Sequence, residues 1–247
     1  MNEKITNDLT EQGYSIVNDA FSSNEFKNFR AIIKETPFRC FDIYKNNYLG
    51  IKIPSKELET VKAGLGVTIE KTVIEHTLKQ FEKTTFFAEN LNGYKNIGWN
   101  AFRVNFPDDR FKNVAWHQDI QTPIENSLSI SDRKFLTFWI PFSDVDERNS
   151  IEILKMSNEN RVYSNHYRHD LPLPKKYRSS ERHKMKISAG DLVVIDNFTF
   201  HRSVQNVSKI TRVSVDLRYA SNEHQDYKLD FEIRYRLLKN KIRSMVK

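Results

Sequence analysis

The stretch Arg212-Val213-Ser214-Val215-Asp216-Leu217-Arg218-Tyr219 decides how the rest of the chain is read. Apolar and polar residues alternate without a break. In a strand, successive side chains point to opposite faces. Val213, Val215, Leu217 and Tyr219 therefore share one face, and Arg212, Ser214, Asp216 and Arg218 share the other. An apolar face that packs on a second layer leaves the polar face to line a cavity. Arg212 then becomes a fixed cation inside it, with a planar fork suited to a carboxylate.

Upstream, Gly190-Asp191 makes a turn and Leu192-Val193-Val194-Ile195 reads as a buried strand. Asp196-Asn197 marks its end and His201 lies just beyond, a position well suited to a ligand. Further upstream is Ala115-Trp116-His117-Gln118-Asp119-Ile120. His117 and Asp119 are two apart, so in an extended segment an imidazole and a carboxylate reach the same side. Two His and one carboxylate with open positions opposite them form the ligand set of non-haem Fe(II) oxygenases. A second triplet, His224-Gln225-Asp226, has no histidine beyond it and cannot be completed in the same chain order.

From Asn96 onward short β-type runs alternate with turn residues, at 98–106, 114–120, 135–142, 150–154, 184–187, 191–196 and 212–219. No helical crossovers separate them of the kind that a parallel sheet needs. The expectation is an antiparallel double sheet over 96–222, flanked by helices from a mainly helical 1–95 and a C-terminal helix over 223–247. These are read together as one domain. Ser22-Ser23-Asn24-Glu25 is a capping-box pattern, and Phe26, Phe29 and Ile33 follow at helical spacing. That helix is expected to stop near Thr36-Pro37. Gly13 separates a short helix from the β-favouring Tyr14-Ser15-Ile16-Val17. A long amphipathic helix spans about 67–87, with Val73, Ile74, Leu78 and Phe81 on its apolar face and His76 on the polar one. Residues 38–66 give no clear assignment.

The chain has 247 residues, a formal net charge of +7 and one cysteine. Cys40 on its own excludes an internal disulfide framework or a multi-cysteine metal site, and reads as a packed small side chain. The opening Met1-Asn2-Glu3-Lys4 has no basic-then-apolar pattern, and no run approaches a membrane span. The expected location is the cytoplasm. Lys and Arg are spread along the chain with a local excess over 168–186. This favours solubility charge and an anionic small ligand over nucleic acid. Oligomeric state is left unassigned.

Taken in order, Glu11-Gln12-Gly13-Tyr14-Ser15-Ile16-Val17, Trp116-His117-Gln118-Asp119, Phe138-Trp139-Ile140-Pro141-Phe142 with Ser143-Asp144-Val145, Gly190-Asp191-Leu192-Val193 and the span His201 to Arg212 resemble the phytanoyl-CoA dioxygenase family. The resemblance covers about residues 8 to 219. It implies a double-stranded β-helix (a jelly-roll, cupin-like core), Fe(II), 2-oxoglutarate as cosubstrate and O2. By position, His117, Asp119 and His201 resemble the iron ligands, and Arg212 resembles the clamp on the far carboxylate of 2-oxoglutarate. Ser203, Trp139 and Asn105 resemble further cosubstrate contacts. Gln118, between two ligands, and Arg103 are expected on the substrate side. An acidic Asp119 disfavours halogenation, which in a related subgroup accompanies a small residue there. The implied reaction is hydroxylation of a small molecule with release of succinate and CO2, with desaturation or ring formation as alternatives. The same chemistry on nucleic acid or protein, or a non-catalytic cupin-like module, are the competing readings.

The chain departs from the family in two places. Glu147-Arg148-Asn149-Ser150 stands where the family has a Gly-rich turn, and Lys155-Met156-Ser157-Asn158 replaces its Pro-Gly-Ser-His motif. Residues 156–186 are expected to form a loop or lid, with His166, His169 and His183 in solvent or substrate roles.

Overall fold

A computed structural model describes residues 1–35, 67–105, 107, 114–121, 133–163, 173–224, 226 and 228–229. The expectations for Pro37, Cys40, residues 38–66, His166 and His169 lie outside the described residues; of the helix expected over 223–247, residues 223–224 and 228–229 are instead β-strand, paired to strands earlier in the chain, and 230–247 lie outside the described residues.

The helices are α1 (Glu3–Gln12), α2 (Ser23–Glu35), α3 (Val67–Phe81) and α4 (Thr85–Asn90). The strands are β1 (Tyr14–Val17), β2 (Lys95–Asn96), β3 (Ala101–Asn105), β4 (Arg133–Pro141), β5 (Ile151–Leu154), β6 (Arg161–Val162), β7 (Arg182–Lys184), β8 (Leu192–Asp196), β9 (His201–Ser203), β10 (Arg212–His224) and β11 (Lys228–Leu229). The larger sheet runs β1-β8-β4-β10, and the far side of β10 takes β3 and then β2; every pair is antiparallel. A smaller antiparallel sheet runs β7-β5-β9. His117 bridges to His201 beside β9 and so extends that sheet by one position. The short β11–β6 pair is parallel.

Local chemistry explains the entry of the chain. Gly13 ends α1 at φ +87°, a left-handed position that disfavours a side chain. A Cβ there would also lie 2.3 Å from Thr199 Oγ1. The capping box forms as read: Glu25 accepts from Ser22 N–H at 2.7 Å, and Ser22 Oγ accepts from Glu25 N–H at 3.3 Å. Glu25 also accepts from Thr85 N–H, which ties α2 to the start of α4. β1 does not stay with the helical flank. It pairs along β8 and forms an edge of the larger sheet.

β4 and β10 divide their side chains between two cores. Leu136, Phe138 and Ile140, with Val213, Val215, Leu217 and Tyr219, pack outward against Phe21, Phe29, Phe81 and Phe86 of the helical layer. Phe81 sits 5.5 Å from the Phe138 ring and 5.7 Å from that of Tyr219. Trp139, Val193 and Ile195 face inward to Ile151, Ile153 and Met185 of the smaller-sheet side. The alternation read from 212–219 is thus the partition between helix-facing and cavity-facing residues. Within the stretch expected as a loop or lid, Arg182–Lys184 is instead the edge strand β7 on β5, while 164–172 lie outside the described residues. His76 is exposed, as its polar face requires.

Candidate metal and cosubstrate site

A single antiparallel bridge between the segment at His117 and strand β9 brings the two histidines together. His117 N–H donates to His201 O and His201 N–H donates to His117 O, both at 3.0 Å. Their rings stand 4.2 Å apart. Each ring uses Nδ1 on a carbonyl two residues before it: His117 on Ala115 O at 2.9 Å and His201 on Thr199 O at 3.0 Å. A carbonyl only accepts, so Nδ1 carries the proton and the Nε2 lone pair is left for a ligand role. Both Nε2 atoms approach the same carboxylate oxygen, Asp119 Oδ1, at 3.6 and 3.9 Å. One ligand atom from each of the three residues falls within 4.8 Å of the others. Among the described residues this is the one such group of three or more His, Cys, Asp or Glu.

Electrostatics suit the donor set. Burial would push the Asp119 carboxyl up, but Arg218, His201 and His117 outweigh it and hold the group well below the usual carboxylate range. Burial, reinforced by His117, pushes His201 down to about 4 against the pull of Asp119. Neutral imidazoles and an ionised carboxylate are the forms that bind a divalent ion.

The cavity beside the triad is lined by His117, His201, Thr137, Trp139, Ser203 and Arg212, with Arg103, Arg202 and Asp216 on its wall. Arg212 is buried at 2% exposure. Its Nη1 donates to Asn149 O at 3.0 Å and Ser150 O at 2.7 Å, so the turn that departs from the family pattern anchors it. Its guanidinium carbon lies 5.6 Å from the Trp139 ring centre. Burial lowers its pKa to about 10, which leaves it charged at neutral pH. Arg212 Nε and Ser214 Oγ are both buried without a hydrogen-bond partner. Orphaned donors of this kind fit an anionic ligand that supplies the acceptors.

Of the residues singled out in the sequence, His117, Asp119 and His201 come together, with Arg212, Ser203, Trp139 and Arg103 around the adjoining cavity. Asn105 and Gln118 do not join the cavity wall. Asn105 pairs in register with Arg212, but its Nδ2 donates to Val204 O and holds the loop after β9. Gln118 alternates away from its two neighbours. Its Nε2 donates to Arg161 O and Phe198 O, and its Oε1 accepts from Tyr163 N–H, so the expected position near the metal is corrected to a buried tie between loops. His183 meets Tyr14 Oη through Nδ1 rather than the site. Thr137, Ser214, Asp216 and Arg218 join the site without a motif of their own in the sequence. Only the inward parity of β10 signalled three of them.

The phytanoyl-CoA dioxygenase (PhyH) family model matches residues 9–214. Among solved structures, the chain is similar to the non-heme alpha ketoglutarate dependent carbocyclase SnoK from nogalamycin biosynthesis, at 18% identity and a TM-score of 0.55 over 94% of this chain and 88% of that one. The epimerase SnoN from the same biosynthesis gives 15% identity and 0.53, over 92% and 82%. EvdO2 from Micromonospora carbonacea var. aurantiaca, solved with 2-oxoglutarate, gives 14% and 0.52, over 94% and 98%. At these identities the likeness is one of fold. No curated protein matches the sequence. No helix among the described residues is long and apolar enough to cross a membrane.

Proposed function

The chain belongs to the phytanoyl-CoA dioxygenase family, and we propose that it is an Fe(II)/2-oxoglutarate-dependent oxygenase acting on a small, anionic organic molecule. The observation that carries this reading is the convergence of two Nε2 atoms on one buried carboxylate oxygen, beside a cavity with an orphaned arginine donor. The pairing orders β3-β10-β4-β8 and His117-β9-β5-β7 support a double-stranded β-helix as the frame.

In this reading His117, Asp119 and His201 would hold the iron. An iron held there together with 2-oxoglutarate would supply oxidising power sufficient for an unactivated C–H bond. The protein positions the reactants. Arg212 binds the far carboxylate of 2-oxoglutarate through its fork, with Ser203 and Trp139 shaping the pocket. The buried aliphatic wall of Ile151 and Ile195 keeps water out. Arg103 and Arg202, each more than a third exposed, stand on the cavity wall paired to Asp216 and Glu152, with guanidinium donors left over for a polar group on the substrate.

For hydroxylation the balance is substrate, 2-oxoglutarate and O2 giving hydroxylated substrate, succinate and CO2. The epimerase and carbocyclase among the similar structures make stereoinversion and ring closure the natural alternative outcomes on this fold. The test is succinate release with Fe(II), ascorbate and a panel of anionic metabolites. Substrate-stimulated succinate that disappears in Asp119→Ala supports the reading. Equal turnover in Asp119→Ala refutes it.

A further inference from the structure

We propose that Arg218 is the positioning residue of the metal's carboxylate ligand, the inner member of a buried chain of charges that runs from the cavity wall to Asp119. This rests on reading His117, Asp119 and His201 as a metal site. Arg218 Nη2 lies 2.9 Å from Asp119 Oδ1, the oxygen that both imidazole Nε2 atoms approach. Thr137 donates its hydroxyl to the other oxygen, Oδ2. Thr137 and Arg218 are themselves register partners on β4 and β10. Facing residues of two adjacent strands therefore hold one oxygen each of a single carboxylate. A carboxylate gripped at both ends cannot turn about its own axis, so Oδ1 stays aimed at the space between the imidazoles.

The grip is fixed from behind. Arg218 Nη1 donates to Trp99 O, and its Nη2 lies 3.9 Å from Asp216 Oδ2. Asp216 Oδ2 in turn accepts from Arg103 Nε at 3.1 Å. The order Arg103, Asp216, Arg218, Asp119 alternates in sign and sums to zero. Asp119, Arg218 and Asp216 are each less than a tenth exposed, where ion pairs are little screened. Arg103 is the exposed end, on the cavity wall. Arg218 needs no contact with the metal, cosubstrate or substrate to act. It works through the orientation of Asp119, as outer partners of metal ligands do, where loss typically weakens metal binding by about 10–100-fold.

The test uses Co(II) as a probe on the full chain, read by calorimetry and by the visible ligand-field spectrum, with far-UV circular dichroism to confirm folding. The wild type is expected to bind one equivalent, and His201→Ala to lose most of that affinity. Equal binding by these two would overturn the metal site itself. With that established, Arg218→Met is expected to bind Co(II) at least tenfold more weakly with an altered spectrum. Arg218→Lys, which keeps the charge but loses the fork, is expected to recover part of the affinity. Asp216→Asn, two bonds removed from the carboxylate, is expected to change the spectrum in the same sense and less. Should Arg218→Met fail to fold, Arg218→Lys and Asp216→Asn carry the comparison. Folded variants with wild-type or tighter Co(II) affinity and an unchanged spectrum would overturn the proposal and leave Arg218 as a packing ion pair.

Discussion

His117 and His201, 84 positions apart in the chain, form a doubly hydrogen-bonded antiparallel pair through their own backbones. Their imidazoles are thereby held with ring centres 4.2 Å apart and planes inclined at 54°, both Nε2 atoms turned toward Asp119 Oδ1. The spacing of the two rings is set by sheet geometry rather than by side-chain contacts alone. Hydrogen-bonded partners of an antiparallel ladder stand about 5.5 Å apart at Cα. His117→Ala or His201→Ala therefore removes a ligand without disturbing the backbone pair. Each is expected to abolish substrate-dependent succinate formation while leaving the thermal midpoint of the metal-free protein within a few degrees of wild type, as read by activity assay and thermal melt.

Arg212 is expected to act on the cosubstrate and not on the metal. It is buried, with an orphaned Nε facing an anionic role, and its Nη1 is already spent on two carbonyls. A charge-assisted hydrogen bond is worth about 1.5–3 kcal/mol. Arg212→Met should therefore raise the dissociation constant of 2-oxoglutarate by about 10–100-fold, measured by calorimetry on Co(II)-loaded protein. Arg212→Lys should fall between, since an ammonium lacks the planar fork. Metal affinity without 2-oxoglutarate should hardly change in either.

Asp196 gives a pH dependence of stability with a definite sign. Burial raises its pKa from 3.8 to about 6, against the partial opposition of the hydrogen bond from Phe198 N–H and of Lys134. The unfolded chain thus ionises Asp196 at lower pH than the folded one. Its favourable contribution is fully present below pH 3.8 and is lost as pH rises through about 6. Asp196→Asn keeps the acceptor oxygen and removes the ionisation. Its stability relative to wild type should rise between pH 4 and pH 7 by about 2 kcal/mol, read from urea unfolding at the two pH values. A difference that stays flat, or falls, contradicts this.

The helix-facing core should be separable from the site. Phe138 is fully buried among Phe81, Phe86 and Tyr219, on the face of β4 opposite Trp139. Phe138→Ala is expected to cost about 3–5 kcal/mol of stability by denaturant unfolding. Co(II) affinity of the folded fraction should stay near wild type, because the residue's side chain never enters the cavity.

Much of this architecture is readable in one dimension because it depends on parity and local chemistry. The alternation of 212–219 predicts which side chains enter the cavity, and Gly13 and the Ser22–Glu25 box mark the ends of helices that form as read. Parity also shows why Gln118 does not face the metal. The residue between two ligands on one face must point to the other, and there it ties its own segment to the β6 stretch at Arg161 and Tyr163 and to the turn at Phe198. What a single sequence does not carry is register. Nothing local to Thr137 or Arg218 says that they face each other across β4 and β10, or that both reach Asp119. The same holds for Asn105, whose inward position opposite Arg212 is real but whose amide is taken by Val204 O. The extra strand β1 on the larger sheet, and β7 within a segment expected as loop, depend on pairing with β8 and β5 far along the chain.

The proposed site has His117, Asp119 and His201 holding Fe(II) beside a 2-oxoglutarate pocket closed by Arg212. Anaerobic addition of Fe(II) and then 2-oxoglutarate, followed by visible absorption, tests it most directly. One bound Fe(II) per chain is expected, with a metal-to-ligand charge-transfer band that needs both components. That band should be lost in His201→Ala and should need far more 2-oxoglutarate in Arg212→Met. A wild-type protein that binds no Fe(II), or a band that persists unchanged in His201→Ala, would rule out an iron site at these three residues.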